Sequence, residues 1–163
     1  MLKKINAIVT GGSSGLGEAT VRRILERGGN VSILDTQENS AKVLSEEFGE
    51  ACTFFYADVT NEKSINEALT SAVSKYQFIN LLVNCAGIGI ANKVIGKEKL
   101  HDSNIFQKII NINLVGTFNV LKLVAEKMIE NQPDEDNFRG VIINTASIAA
   151  FDGQIGQAAY SAS

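Results

Sequence analysis

The sequence predicts an α/β fold in which a doubly wound parallel sheet lies between two layers of helices. Three observations predict it. Apolar, β-branched runs of strand length alternate with stretches of helical period along all 163 residues, an order that places helices on both faces of a parallel sheet. The first run ends in a glycine-rich turn, Gly11-Gly12-Ser13-Ser14-Gly15, and the second stops at an acidic residue, Asp35.

Each element carries its own signal. Residues 5–10 are short, β-branched and closed by glycine, which reads as a strand buried on both faces. Residues 16–27 put Leu16, Thr20 and Ile24 on one side with Val21 and Leu25 beside them, a helix ended by Gly28-Gly29. A second strand at 31–34 is followed by a more polar helix at 40–48, closed by Gly49, and by a third strand at 53–56. The third helix has the clearest pattern: Ile65, Ala68, Leu69, Ala72, Val73 and Tyr76 fall at i, i+3, i+4, i+7, i+8 and i+11. A fourth strand at 79–83 leads through a loop of about residues 87–103 into one long helix. That helix carries Phe106, Ile109, Asn113, Thr117, Val120, Leu121, Val124 and Met128, and Pro133 lies beyond its end. Residues 131–139 form a polar surface loop and 141–144 the fifth strand, and Gly153 and Gly156 precede a helix only just begun at Ser163. The βα steps make one three-layer domain over residues 1–163. Because the sequence ends inside the first turns of a helix that follows a buried strand, it reads as a fragment of a larger fold, truncated after the fifth strand.

Composition narrows the function classes. With 15 basic and 18 acidic residues the net charge is −3 and the pI is near 5.2, and no lysine or arginine stripe offers the footprint that neutralises nucleic-acid phosphates. Hydrophobic residues make up 45% and charged residues 20%, so the chain has the material for a core. No uninterrupted apolar run approaches about 18 residues, which argues against a membrane span. Cys52, Cys85 and His101 fall in no metal-ligand spacing, so no metal is expected, and two cysteines are too few for a disulfide framework. Residues 1–4 run directly into the first strand without room for a signal peptide, and a cytoplasmic location is the expectation.

The chemistry gathers at the strand ends. Thr10-Gly11-Gly12-Ser13-Ser14-Gly15-Leu16-Gly17 joins the first strand to the first helix, where a doubly wound sheet places its phosphate site. Gly11 and Gly15 permit backbone angles and a close approach that a Cβ would obstruct, and Gly17 lets helix and strand pack tightly below N–H groups that face a pyrophosphate. The spacing departs from G-x-G-x-x-G, and the competing reading of the loop alone is a plain βα turn. Asp35, 18 residues after Gly17, is placed to hold adenosine ribose hydroxyls, and with the loop it points to a bound dinucleotide. Asp58-Val59 and Asn84-Cys85-Ala86-Gly87 end the third and fourth strands at the same rim. Asp58 could instead cap the following helix, and Cys85 lacks a histidine partner that would make it a nucleophile. Ser147 closes the fifth strand and Tyr160 follows 13 residues later.

Thr-Gly-x-x-x-Gly-x-Gly at 10–17, Asn-x-Ala-Gly at 84–87, Ser147 and Tyr160 together resemble the short-chain dehydrogenase/reductase family over the whole chain. The resemblance implies a Rossmann fold and an NAD-dependent oxidoreductase interconverting a secondary alcohol and a ketone. At matching positions it implies that Tyr160 is the catalytic acid/base, that Ser147 hydrogen-bonds the substrate oxygen, and that Asn113 holds a water in a proton relay. It also implies cofactor contacts from Gly11, Ser14, Gly15, Leu16, Gly17, Asp35, Asp58, Val59, Cys85, Ala86, Gly87 and Tyr160, and a substrate contact from Gln154. The runs at 83–88, 116–120 and 140–163 resemble the members of that family that act on acyl-CoA, and this closer resemblance implies 3-hydroxyacyl-CoA and 3-oxoacyl-CoA as substrates, in fatty acid metabolism. Alternatives within the class are a 3-oxoacyl-carrier-protein reductase and a steroid dehydrogenase; outside it, a dinucleotide-binding module without turnover. Asp35 favours NAD over NADP, because a 2′-phosphate would meet a carboxylate with Thr36 rather than an arginine beside it.

Two further expectations follow from the resemblance. Tyrosine, with an ordinary pKa near 10, is a poor base at neutral pH, and the family supplies a lysine four residues after it. That position, 164, falls after Ser163, so the 163 residues by themselves are expected to be inactive. The implied partners are a small-molecule substrate and further copies of the same chain, as a dimer or tetramer.

Overall fold

The computed structural model describes residues 5–97 and 99–163; residues 1–4, on which the reading of the N-terminus rests, lie outside the described residues. Five parallel strands, β1 (Asn6–Thr10), β2 (Asn30–Asp35), β3 (Cys52–Tyr56), β4 (Leu81–Asn84) and β5 (Val141–Asn144), form one sheet in the order β3-β2-β1-β4-β5. The chain runs outward from β1 to β3, returns across β1 to β4, and so reverses direction between β1 and β4. In an open α/β sheet the crevice at such a reversal, beyond the carboxyl ends of the strands, is where ligands bind.

Alternation along the strands builds the three layers. Ala7, Val9, Val31, Ile33 and Val83 point to one face, where Val21 of α1 (Gly15–Glu26) and Ala41 and Leu44 of α2 (Glu38–Phe48) close over them. Ile8, Leu34 and Leu82 point to the other, under Ile65, Leu69 and Ala72 of α3 (Glu62–Tyr76) and Val120, Val124 and Met128 of α5 (Thr117–Ile129). Every residue of β1 is buried, as a strand with helices on both sides requires. Helix α3 begins where Asn61 caps it, its Oδ1 accepting from the N–H groups of Lys63 and Ser64. Lys122 of α5 reaches Glu62 of α3 at 2.6 Å.

The long fourth helix differs from its expected form. Residues Ser103–Ile129 are continuous, but α4 (Ser103–Ile110) opens into a π-helical stretch, Asn111–Gly116, before α5. At Gly116 a Cβ would lie 2.6 Å from a methyl of Val59, so only glycine lets the helix pass this close to the end of β3. By length and composition this run is apolar enough to cross a bilayer, although polar residues interrupt its apolar stretches. In the fold, Ile109, Val120, Val124 and Met128 instead pack it onto the sheet, leaving Phe106, Leu114, Val115 and Phe118 exposed along an outer face. The edge strand β5 leaves Val141 and Ile143 about half exposed, and a four-residue α6 (Ala158–Ser161) follows it.

Candidate active site

The glycine-rich loop holds its shape through two contacts that exclude side chains. Gly11 has φ +62°, and a Cβ there would stand 2.8 Å from the backbone N and Cα of Ala86, so the β1–α1 and β4 loops touch main chain to main chain. At Gly17 a Cβ would collide with the carbonyl oxygen of Gly11, which explains why the first turn of α1 can sit directly over the strand end. Gly15 has φ +53° with open space around its Cα; its need for glycine is conformational alone. Ser14 precedes α1 in extended conformation and its side chain makes no capping bond, and residues 14–17, at the positive end of the helix dipole, line the cleft.

A polar seam missed by the motif reading ties the strand ends together. Thr10, Asn84 and Asn144 are register partners on β1, β4 and β5. The Thr10 hydroxyl donates to Asn84 Oδ1 at 3.3 Å and accepts from the N–H groups of Cys85 and Ala86 at 3.2 Å. Asn84 Nδ2 then donates to Asn144 Oδ1 at 2.9 Å. Each is a strand's last residue, and that shared position was the available signal.

The expected cofactor residues converge on one cavity, except Tyr160, which lines its neighbour. A cavity of about 470 Å³ is lined by Gly11, Ser14, Gly15, Leu16, Gly17, Asp35, Asp58, Val59, Cys85, Ala86 and Gly87, with Leu34, Thr36, Gln37, Ala57, Ile88 and Ile112. Asp58 does not cap α3, since Asn61 has that place; its Oδ1 accepts from the N–H and hydroxyl of Thr60 at 2.9 and 2.7 Å. Asp35 accepts from the Ser13 N–H and hydroxyl and from the Gln37 N–H. Ser13, buried at the base of the loop, is a second residue the motif reading passed over.

A second cavity, about 530 Å³, shares Leu16 and residues 85–88 with the first and is walled by Asn84, Asn113, Thr145, Ser147, Gln157, Tyr160 and Ser163, among others. Ser147, Tyr160 and Asn113, expected to act together, line this one space. The Ser147 hydroxyl oxygen accepts from the Ala149 N–H at 3.2 Å, a bond that uses one of its two lone pairs and leaves its proton to be donated. Tyr160 lays its ring edge 3.8 Å from where a Gly89 Cβ would be. Asn113, in the π-helical stretch, accepts from Ile88 N–H at 2.8 Å and donates to Ile88 O and to Ser163 Oγ, both at 3.0 Å. Its amide thus clamps the β4 loop to the chain beyond Tyr160. Gln154 stands apart: it is exposed and lines neither cavity, while Gln157, three residues on, does. Cys85 borders both cavities, accepting from the Thr145 hydroxyl at 3.6 Å.

Comparison with known proteins agrees with this geometry. The sequence profile of the short chain dehydrogenase family matches residues 5–163. The chain belongs to this family. As a short-chain dehydrogenase it is 48% identical to a 3-hydroxyacyl-CoA dehydrogenase type-2 of Bos taurus over 99% of this chain and 63% of that protein. It is also 48% identical to the protein of that name from Drosophila melanogaster, over 100% of this chain and 65% of that one. The crystal structure of a 3-hydroxyacyl-CoA dehydrogenase type-2 from Mycobacterium avium superposes with a TM-score of 0.91 at 39% identity, covering 97% of this chain and 62% of that one. The chain therefore spans a little under two thirds of the length of the curated relatives it matches. Short-chain dehydrogenases are dinucleotide-dependent, and the glycine cradle, the open helix N-terminus and the buried carboxylate at the β2 end suit a dinucleotide.

Proposed function

We propose that the protein is an NAD-dependent oxidoreductase that interconverts a 3-hydroxyacyl-CoA and the corresponding 3-oxoacyl-CoA. The observation that carries this reading is the placement of Ser147 and Tyr160 on one cavity that opens into the dinucleotide cleft along residues 85–88. When bound, the nicotinamide supplies or accepts the hydride. The chain's own groups manage the oxygen and its proton. Tyr160 exchanges the hydroxyl proton, and Ser147, its oxygen held by the Ala149 N–H, donates to the substrate oxygen most strongly as negative charge develops there. Asn113 fixes the distance between the β4 loop and the Tyr160 segment; a water held beside it would complete a proton relay. Asp35 receives the adenosine ribose hydroxyls and disfavours a 2′-phosphate, with NAD the resulting choice over NADP. The names of the relatives support the acyl-CoA assignment.

Copies of the protein pair through the outer face of α4 and α5, where Phe106, Leu114, Val115 and Phe118 are exposed together. The two free cysteines suit the cytoplasm. The test is NADH oxidation with acetoacetyl-CoA by the complete product of the reading frame, compared with NADPH and with steroid, sugar and carrier-protein substrates. Turnover of acetoacetyl-CoA with NADH is the expected result. An inert acyl-CoA panel alongside active steroids would overturn the substrate class, and equal or better use of NADPH would overturn the cofactor.

A further inference from the structure

Asp35 ends β2 with only 8% of its surface exposed, and the chain already grips both of its carboxylate oxygens. Oδ2 accepts from Ser13 twice, from the N–H at 3.1 Å and from the hydroxyl. Oδ1 accepts from the Gln37 N–H at 3.0 Å. A carboxylate oxygen offers about two lone-pair directions, so Ser13 fills Oδ2 and leaves Oδ1 as the oxygen with capacity to spare. Ser13 is 3% exposed and lies in the loop that cradles the cofactor, while Asp35, Thr36 and Gln37 line that same cavity.

We propose that Ser13 is a positioning residue for dinucleotide selectivity, its hydroxyl locking the rotation of the Asp35 carboxylate so that Oδ1 meets the adenosine ribose. The inference rests on the NAD reading above and adds the device that makes it selective. With the hydroxyl removed, the Ser13 N–H still holds Oδ2, but one of its two restraints is gone. The carboxylate then turns away from the ribose part of the time, weakening both its bond to a 2′-hydroxyl and its repulsion of a 2′-phosphate. A hydrogen bond to a charged group is worth enough that losing its orienting effect is expected to weaken NADH binding about ten-fold.

The experiment is titration of NADH and NADPH fluorescence on wild type, Ser13→Ala, Ser13→Thr, Asp35→Ala and the double variant Ser13→Ala/Asp35→Ala, with thermal melts as a folding check. Expected is a NADH Kd about ten-fold weaker in Ser13→Ala, with the NADPH Kd changed by less than about two-fold and preference restored in Ser13→Thr. In the Asp35→Ala background the serine substitution should change neither Kd, because the group it orients is gone. A Ser13→Ala protein that keeps the wild-type NADH-to-NADPH ratio would overturn the inference while leaving the NAD reading intact. So would a drop of both affinities in parallel, or an equal effect without Asp35. A wild type that binds NADPH as tightly as NADH would instead overturn the NAD reading and the inference together.

Discussion

Gly11→Ala separates the two reasons for a glycine in the cofactor loop. The residue has φ +62°, and its Cβ would come within 2.8 Å of the backbone of Ala86, a neighbour that cannot rotate aside as a side chain would. Left-handed backbone costs an L-residue about 1–2 kcal/mol, and overpacking against rigid neighbours about 1–3 kcal/mol more. Gly15→Ala is the control: its φ is +53° with nothing within 4 Å, so only the conformational cost of about 1–2 kcal/mol applies. The gain from restricting the unfolded chain is common to both and cancels. Urea denaturation of the two variants should therefore show Gly11→Ala less stable than Gly15→Ala by about 1–3 kcal/mol. NADH binding should also weaken more in Gly11→Ala, since the displaced β4 loop forms the far wall of the cleft. Equal denaturation midpoints and slopes for the two variants would refute the main-chain contact between the loops.

Asn113→Ala removes two bonds to Ile88 and one to Ser163; at about 1 kcal/mol each it should lower stability by about 2–3 kcal/mol, and hydrogen exchange at the Ile88 amide should quicken, whereas an unchanged exchange rate would refute the clamp. Burial raises the Cys52 thiol above its ordinary 9.0 and the Tyr76 phenol above its ordinary 10.0. Both groups hold their protons longer folded than unfolded, so the stability they lend is complete below pH 9 and is lost as pH rises through the raised values. Denaturation midpoints should fall above pH 9 with a slope of up to about 1.4 kcal/mol per pH unit for each group, and Cys52→Ala should flatten the first part of that fall; stability rising between pH 9 and 11 would contradict it.

Much of the fold was legible because its signals are local. Runs such as Ala7-Ile8-Val9 and Leu81-Leu82-Val83 are continuous apolar segments since both sheet faces are covered, and every strand lies within two residues of where its sequence signal places it. The dinucleotide loop was legible because its glycines answer to backbone geometry that few other residues satisfy. What escaped depends on register or on burial of polar groups. A serine in a glycine-rich turn looks like a solvated residue, and only the approach of β2 to the loop makes Ser13 the buried partner of Asp35. The match of Thr10, Asn84 and Asn144 needs strand order as well as strand ends. The π-helical stretch at Asn111–Gly116 depends on which carbonyl each N–H reaches, i→i+5 rather than i→i+4, and a pattern of apolar side chains does not report that choice. Which of Gln154 and Gln157 borders the cavity depends on the irregular turn at 153–157, which leaves Gln154 exposed and sets Gln157 in the lining.

The proposed action of Tyr160 and Ser147 on a substrate oxygen, in the cavity beside the dinucleotide cleft, is open to one decisive measurement. NADH oxidation with acetoacetyl-CoA is followed with the complete product of the reading frame as wild type, Tyr160→Phe and Ser147→Ala, with NADH affinity measured on the same samples. Each substitution is expected to lower kcat by about 10²-fold or more while the NADH Kd stays within about three-fold of wild type. A Tyr160→Phe protein that turns over at the wild-type rate, or one whose loss of activity is matched by an equal loss of NADH binding, would contradict it.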